Sequence, residues 1–167
     1  GSIFKATVSR VETSLDAAFV NFGSERHGFL PLKELSNEYF TKDADGKRKC
    51  SLKEGDEILI QVLKEERGTK GAALSNQISL AGRFIVLIPN SEKSGGVSRR
   101  IFGEERDEIK NALNALQIPE GMSVIVRTAG LGRSTEELKW DLDYLMNLWN
   151  QIKSTVNEAP SPSLIYK

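Results

Sequence analysis

The chain of 167 residues has one cysteine, one histidine and no net charge, and each shortage excludes a class of protein. Because Cys50 is alone, no disulfide bond can form within the chain, which fits a reducing compartment and an ordinary loop thiol. Lysine plus arginine and aspartate plus glutamate both number 23, so no overall field attracts nucleic acid or a membrane surface. Any site for a charged polymer must therefore be a local patch. The lone histidine, His27, has no candidate nucleophile or ligand cluster, and we assign it no chemistry.

Long apolar runs are absent as well. The longest clean run, residues 84–88, is far shorter than the roughly 20 residues that span a bilayer, and it predicts a buried strand. No basic and then apolar signal segment follows Gly1-Ser2, a pair typical of tag removal. We expect a soluble protein of the cytosolic type. Because a strand pattern starts at Ile3 and the chain stops at residues 164–166 without a capping segment, we also expect a piece of a longer protein.

The first half of the chain has the pattern of a small β-barrel. Alternating apolar residues predict strands at 3–11, 15–22, 27–30, 57–62 and 72–80, separated by polar turns at 23–26 and 67–71. Residues 41–51 predict a charged loop. Five short strands with long connections are typical of the OB fold, so we predict an OB-fold unit over residues 1–81.

After about residue 81, helical periods appear and predict a second, smaller α/β unit over residues 82–167, which makes the whole chain α+β. Strands are expected at 82–89 and 123–127, with a helix between them that carries Ile109 and Leu116 on one face with Ala112 and Leu113. The clearest helix begins at Ser134, where Glu137 completes a capping box. Residues 157–163, with two prolines, predict an exit linker. We interpret the apolar stripe of the long helix as core rather than a docking face; it comprises Leu138, Leu142, Leu145, Trp149, Ile152 and Val156.

Two phenylalanines on neighbouring strands form the first candidate site. Side chains alternate along a strand, so Phe19 lies on the opposite face from Val20. If the Val20 face fills the barrel, Phe19 and Phe29 form an outward platform for nucleic-acid bases. The turn between the fourth and fifth predicted strands is surrounded by three basic residues that could bind phosphate groups: Lys64, Arg67 and Lys70. The pattern alone leaves open that the aromatic residues are core and the turn merely solvated.

The second candidate site suits a terminal phosphate, which needs a fork of donors, a hydroxyl and backbone N–H groups on a rigid element. Arg127 and Thr128 end a short strand and precede two glycines at 130 and 132 that allow close backbone approach. Gly82 allows a similar approach where the strand that contains Val86 begins. The alternative is that Arg127 only pairs with a surface carboxylate.

A third basic cluster, Arg99 and Arg100, follows a pair of glycines. Paired arginines after a glycine-rich segment can line an RNA path, but such arginines are also often only solvated. Both interpretations stay open.

Six stretches spread along most of the chain closely resemble the ribonuclease E/G family: residues 16–23 (DAAFVNFG), 26–31 (RHGFLP), 64–74 (KEERGTKGAAL), 78–82 (ISLAG), 95–100 (GGVSRR) and 126–130 (VRTAG). The resemblance implies an S-one-type OB-fold RNA-binding domain followed by a 5′ sensor, a pocket that prefers RNA with a 5′ monophosphate. By this resemblance, single-stranded RNA contacts Phe19, Phe29, Lys64 and Lys70. The 5′ phosphate is held by Arg127 and Thr128, and the terminal nucleotide is contacted by Gly82 and Val86.

The resemblance further implies an endoribonuclease parent that acts in RNA processing and mRNA decay. Such enzymes use magnesium-binding carboxylates and a zinc-linking cysteine pair in a later domain, and neither is recognisable in this sequence. We therefore expect this piece to hold no catalytic or metal-binding residue and to be a monomer that does not cut RNA alone. Its expected partners are single-stranded RNA with a 5′ monophosphate and the rest of the catalytic domain, in the bacterial cytosol or a plastid.

Two other functions remain open from the sequence. The first is a stand-alone regulator that binds single-stranded RNA and has no nuclease activity. The second treats the later unit as a protein-interaction module that uses Trp140 or Trp149. Burial of the apolar stripe on the long helix counts against this second alternative.

Overall fold

The computed structural model describes residues 1–91, 96–97 and 102–167. The chain divides into two compact units, the first formed by residues 1–78 with 152–167 and the second by residues 79–151. Arg99 and Arg100, the predicted basic cluster, lie outside the described residues. The first unit contains the strands β1 (Ile3–Glu12), β2 (Ala17–Asn21), β3 (Gly28–Pro31), β4 (Phe40–Lys42), β5 (Arg48–Cys50), β6 (Glu57–Lys64) and β7 (Ala73–Ser75).

Five of these strands close into a barrel in the order β1-β2-β3-β7-β6, because β6 also pairs with β1. Only the β3–β7 pair is parallel among the barrel's neighbours, and the other pairs are antiparallel. The predicted OB-type barrel is thus confirmed. Residues 41–51 are not simply a loop, since β4 and β5 pair as an antiparallel hairpin and the half-buried Cys50 ends its second strand.

Strand alternation decides which side chains fill the barrel. Ala18, Val20 and Phe22 are buried on one face of β2, as expected, while Phe19 on the other face is half-buried. Each large apolar side chain fully removed from water contributes about 1.5–3 kcal/mol to folding. The barrel core is completed by Ala6, Val8, Leu30, Leu35, Leu52, Ile58, Ile60, Val62, Ala72 and Leu74.

The second unit is a four-stranded sheet with two helices. Its strands are β8 (Leu80–Ala81), β9 (Ile85–Ile88), β10 (Gly96–Val97) and β11 (Ser123–Val126), in the order β10-β11-β9-β8. Helix α1 spans Gly103–Ala115 and buries Ile109, and α2 begins at Thr135 and ends at Glu158. The predicted capping box is present: the Glu137 amide donates to the Ser134 hydroxyl at 3.2 Å, and the Ser134 amide donates to the Glu137 carboxylate at 3.3 Å.

The C-terminal segment returns to the barrel instead of forming a linker that leads out. Helix α2 continues through residues 157–158, and β12 (Ser163–Tyr166) pairs antiparallel with the start of β1. The Lys5 ammonium group donates to the carbonyls of Val156 and Ala159, both at 2.8 Å. The second unit predicted over residues 82–167 therefore differs at this end, where residues 152–167 belong with the barrel.

Candidate nucleic-acid interface

Residues from five strands form one row across the outer face of the barrel. Arg10 on β1 is opposite Phe19, Phe19 is opposite Phe29, Phe29 is opposite Ala73, and Ala73 is opposite Lys64 on β6. Residues paired in this way project from the same face of a sheet. The row thus places two phenyl rings between two cationic side chains, an order that matches the bases and phosphates of a nucleic-acid strand.

The two phenyl rings meet edge to face, with centroids 5.9 Å apart and planes inclined by 68°. The Arg10 guanidinium lies 4.8 Å from the centre of the Phe19 ring, which adds a cation–π contact on one side of the pair. Phe29 keeps 37% of its surface exposed, which is unusual because phenylalanine is among the residues that are most often fully buried. The structure therefore places the predicted platform outside the core and leaves Phe29 open to a stacking partner.

A groove of about 490 Å³ lies against this aromatic pair. Arg67 and Lys70 line it, and no carboxylate does so among the described residues that form its wall. Lys64 ends the row but does not line the groove. The complete lining consists of Phe19, His27, Phe29, Arg67, Thr69, Lys70, Gly71 and Ala73.

A tight turn fixes the two cations of this groove. Arg67 and Lys70 exchange backbone hydrogen bonds of 3.1 and 2.9 Å, and Gly68 between them has a φ of +55°. The Arg26 guanidinium donates to the carbonyl of Gly68 and thereby anchors the turn. Gly71 is required where the turn ends, since a Cβ there would lie 2.4 Å from the carbonyl oxygen of His27. The basic side chains thus start from a rigid backbone.

The sequence analysis missed two members of this surface, Arg10 and His27. His27 lines the groove, and its Nδ1 lies 2.8 Å from the hydroxyl of Ser9. A register shift between Val8 and Arg10 brings Arg10 opposite Phe19. Simple alternation along β1 does not reveal that shift, because an irregularity in pairing changes which residues share a face.

The predicted phosphate site lies in the second unit, where β9 begins and the antiparallel β11 ends. Val86 pairs with Ile125, and the Arg127 guanidinium donates to the carbonyl of Gly82 at 2.8 Å. Thr128 is exposed and begins a single 3-10 turn, Thr128–Gly130. The structure thus brings Gly82 and Arg127 into contact, with Val86 and Thr128 close to them along the chain. A guanidinium has five N–H donors. The hydrogen bond that Arg127 makes here is to a backbone carbonyl, whereas the alternative interpretation expected a surface carboxylate.

Asp141 on α2 organises the loop before β9, and no local sequence pattern predicts this role. Its carboxylate accepts backbone N–H groups from Arg83, Phe84 and Ile85 at 3.0, 2.8 and 2.9 Å. A Cβ at Gly82 would lie 2.5 Å from this carboxylate. The close approach that we predicted at Gly82 is therefore made by a carboxylate of the protein itself.

Five of the six apolar residues in the stripe of α2 are buried, as predicted, and Val156 is half-buried; this counts against a protein-interaction module. Trp149 is 7% exposed and belongs to the stripe, whereas Trp140 is 68% exposed. Trp140 and Tyr144 border a cavity of about 790 Å³ next to Asp141. Arg133 lies 5.0 Å from the Phe84 ring at the same cavity and pairs with Glu137 at 3.4 Å.

Neither a membrane span nor a metal cluster is present in the part of the chain that the structure describes. None of its described helices has the length and apolar character needed to cross a bilayer. Within the same residues, no group of three or more His, Cys, Asp or Glu side chains is placed to hold a metal ion.

A closed five-stranded barrel with an outer aromatic pair and a basic turn defines a nucleic-acid-binding domain of the OB class. The family model of the S1 RNA binding domain matches residues 1–76. The model of the Ribonuclease E/G family matches residues 79–167, and the chain belongs to this family.

Similar proteins agree with this assignment. Ribonuclease E of Haemophilus influenzae is 51% identical over 99% of this chain, and ribonuclease E of Escherichia coli strain K12 is 52% identical over 99%. Ribonuclease G of Haemophilus influenzae is 35% identical over 99% of the chain. The chain spans 18%, 16% and 35% of the lengths of these relatives, respectively.

Proposed function

We propose that the chain is the substrate-recognition part of a single-strand-specific endoribonuclease that acts in RNA processing and mRNA decay. The observation that carries the proposal is the row from Arg10 through Phe19 and Phe29 to Lys64, beside the groove with Arg67 and Lys70. The match to the S1 RNA binding domain supports RNA as the partner of this surface.

In the proposed complex, RNA bases stack on the exposed face of Phe29 and on Phe19. Lys70, Arg67 and Lys64 neutralise the phosphates between stacked bases. Every base has a π-face, so such a platform binds single strands with little sequence preference. A duplex hides these faces, which accounts for the proposed preference for single strands.

The second unit reads the 5′ end in this proposal. The Arg127 guanidinium, anchored by the Gly82 carbonyl, directs its remaining N–H groups to a terminal phosphate, and the Thr128 hydroxyl completes the donor set. Val86 packs on the terminal nucleotide. A 5′ hydroxyl offers no such acceptor, so the pocket selects RNA with a 5′ monophosphate.

Cleavage itself belongs to the rest of the protein, which is the second proposed partner. The relatives extend far beyond the matched segment, and the family resemblance implies that magnesium and zinc are held in a later domain. We expect the chain alone to be a monomer that binds RNA without cutting it.

The aromatic platform is tested by changing Phe19 and Phe29 to alanine. Each lost stack of about 1–3 kcal/mol lowers affinity by about 5- to 150-fold. Fluorescence anisotropy should show this loss for single-stranded RNAs of different sequence and for both 5′ groups alike. Phe102→Ala, which removes an exposed phenyl ring of the second unit, is the matched control and should bind normally. Full affinity in the double variant would remove the stacking proposal.

The 5′ pocket is tested with one short RNA that carries either a 5′ monophosphate or a 5′ hydroxyl, at fixed moderate salt. Wild-type protein should bind the monophosphate form more tightly, and Arg127→Ala should bind both forms like the hydroxyl form. Arg127→Lys keeps the charge without the fork and should restore only part of the preference. If Arg127→Ala weakens both RNAs equally, Arg127 is a general backbone contact instead.

A further inference from the structure

Phe29 lines a second groove, separate from the one that holds Lys70. This groove has a volume of about 770 Å³ and is lined by the exposed Leu15, by Phe40 and by side chains of the β4–β5 hairpin. Because Phe29 lies in the walls of both grooves, the second is continuous with the aromatic platform. A strand of RNA that stacks on Phe29 therefore reaches it without crossing another surface.

The second groove carries a local excess of positive charge in a chain whose net charge is zero. Three cations line it, Lys33, Arg48 and Lys49, against the single carboxylate of Asp16. None of these three cations takes part in the ion pairs described for residues 1–78. An excess of this sign on an exposed surface fits a polyanion.

Arg48 is held in a fixed orientation. Its guanidinium carbon lies 3.8 Å from the centre of the Phe40 ring, and its Nη2 donates to the side-chain oxygen of Asn37 at 2.8 Å. The guanidinium is therefore supported by an aromatic ring on one side and anchored at its edge. Nucleic-acid bases stack on guanidinium planes as well as on aromatic rings, so the outer face of Arg48 is a ready platform.

We propose that single-stranded RNA bound at Phe19 and Phe29 continues along the β4–β5 hairpin, where a base stacks on Arg48 and phosphates contact Lys33 and Lys49. The proposal rests on the RNA-binding function proposed for the barrel and adds a second segment to its track. An OB fold covers about 4 to 16 nucleotides, a range that allows both grooves to be filled by one strand. An acidic protein segment would use the three cations but not the stacking plane.

The test measures the affinity of the chain for labelled 5′-hydroxyl oligouridines of about 4 and about 16 nucleotides, the limits of the OB-fold range. The double variant Arg48→Ala, Lys49→Ala should lose about tenfold in affinity for the longer RNA, the order of one stack, and bind the shorter RNA as the wild type does. Lys47→Ala removes one positive charge from the same hairpin outside the groove, and it should change neither affinity. Arg48→Lys, which keeps the charge and removes the plane, should reproduce much of the loss.

The contrary outcomes separate this inference from the proposed function. Equal affinities of wild type and double variant for the longer RNA would overturn the inference while the RNA-binding function stands. An equal loss for both lengths would also overturn it, because the hairpin would then not be an added segment. Oligoglutamate that binds the wild type but not the double variant, while the longer RNA binds both proteins equally, would assign the groove to an acidic peptide. Wild-type protein that binds neither RNA would overturn the proposed function and the inference together.

Discussion

Tyr39, next to Phe40 of the hairpin, makes the barrel less stable as the pH rises into the alkaline range. Desolvation by burial, and then the charges of Glu38 and Asp56, raise its pKa from 10.0 to about 12. The folded state thus favours the neutral phenol, and this contribution is complete below pH 10.0 and is lost as the pH rises through about 12. Tyr39→Phe lacks the ionisable group. Urea unfolding should show that the stability advantage of the wild type over Tyr39→Phe shrinks between these two pH values. Parallel curves for the two proteins would contradict this assignment.

Single residues differ in how far the sequence predicts them. Phe19 and Phe29 follow from alternation along two strands, since the buried Val20 fixes the opposite face. Arg10 depends on a shifted register, and Asp141 meets Arg83 across 58 positions of the chain. Contacts of this kind arise from tertiary packing, which local periodicity does not contain. The site residues proposed for RNA thus come from local pattern and family resemblance, whereas those that hold the loops in place required the structure.

At the scale of elements, Asp141 joins α2 to the loop before β9, and its loss should affect both stability and 5′-end preference. Asp141→Ala leaves three backbone N–H groups without their acceptor. Hydrogen bonds to a charged group contribute about 1.5–3 kcal/mol each. Since water reaches the exposed Arg83 amide, the bonds from Phe84 and Ile85 give an expected total loss of about 3–6 kcal/mol. Denaturant unfolding measures this loss. Preference for a 5′ monophosphate should fall as well, because the displaced loop carries the Gly82 carbonyl that anchors Arg127.

Asp143→Ala is the matched control for Asp141→Ala, because it removes an exposed carboxylate from the same helix. It should leave both the free energy of unfolding and the 5′-end preference unchanged. If Asp141→Ala were as stable as this control, the carboxylate would not be what holds the loop. If stability fell while the preference stayed intact, the loop would not position Arg127.

Elements with local signals were predicted well, and those defined by distant partners were not. The capping box of Ser134 and Glu137 lies within four residues and is present as expected. Residues 157–163 contain two prolines and were predicted as a linker, yet they lead into β12, which pairs with β1 at the other end of the chain. The β4–β5 hairpin was hidden in the same way by its charged residues. Polar composition predicts exposure, but exposure does not exclude strand pairing.

At the scale of the whole molecule, a balanced charge conceals a basic surface. The 23 cations equal the 23 anions in number, so attraction to RNA must come from their arrangement. Lys64, Arg67 and Lys70 lie near the aromatic pair and take part in none of the ion pairs described for residues 1–78. The barrel architecture was predictable from its strand count, and the boundary expected near residue 81 lies at residues 78–79. The return of residues 152–167 to the first unit was not predictable, because α2 continues across the boundary at residues 151–152.

This arrangement predicts a definite salt dependence of binding. Each phosphate neutralised on a single strand contributes about −0.7 to the slope of log affinity against log salt, so three cations give a slope of about −2. Lys70→Ala should make the slope shallower by about 0.7 and weaken all sequences equally, while Lys110→Ala on α1 should leave it unchanged. Anisotropy titrations with one 5′-hydroxyl RNA at several salt concentrations measure the slope. A slope near zero would mean that stacking alone holds the RNA. A slope that Lys70→Ala leaves unchanged would mean that the phosphates do not contact the Arg67–Lys70 turn, which lines the same groove as Phe29.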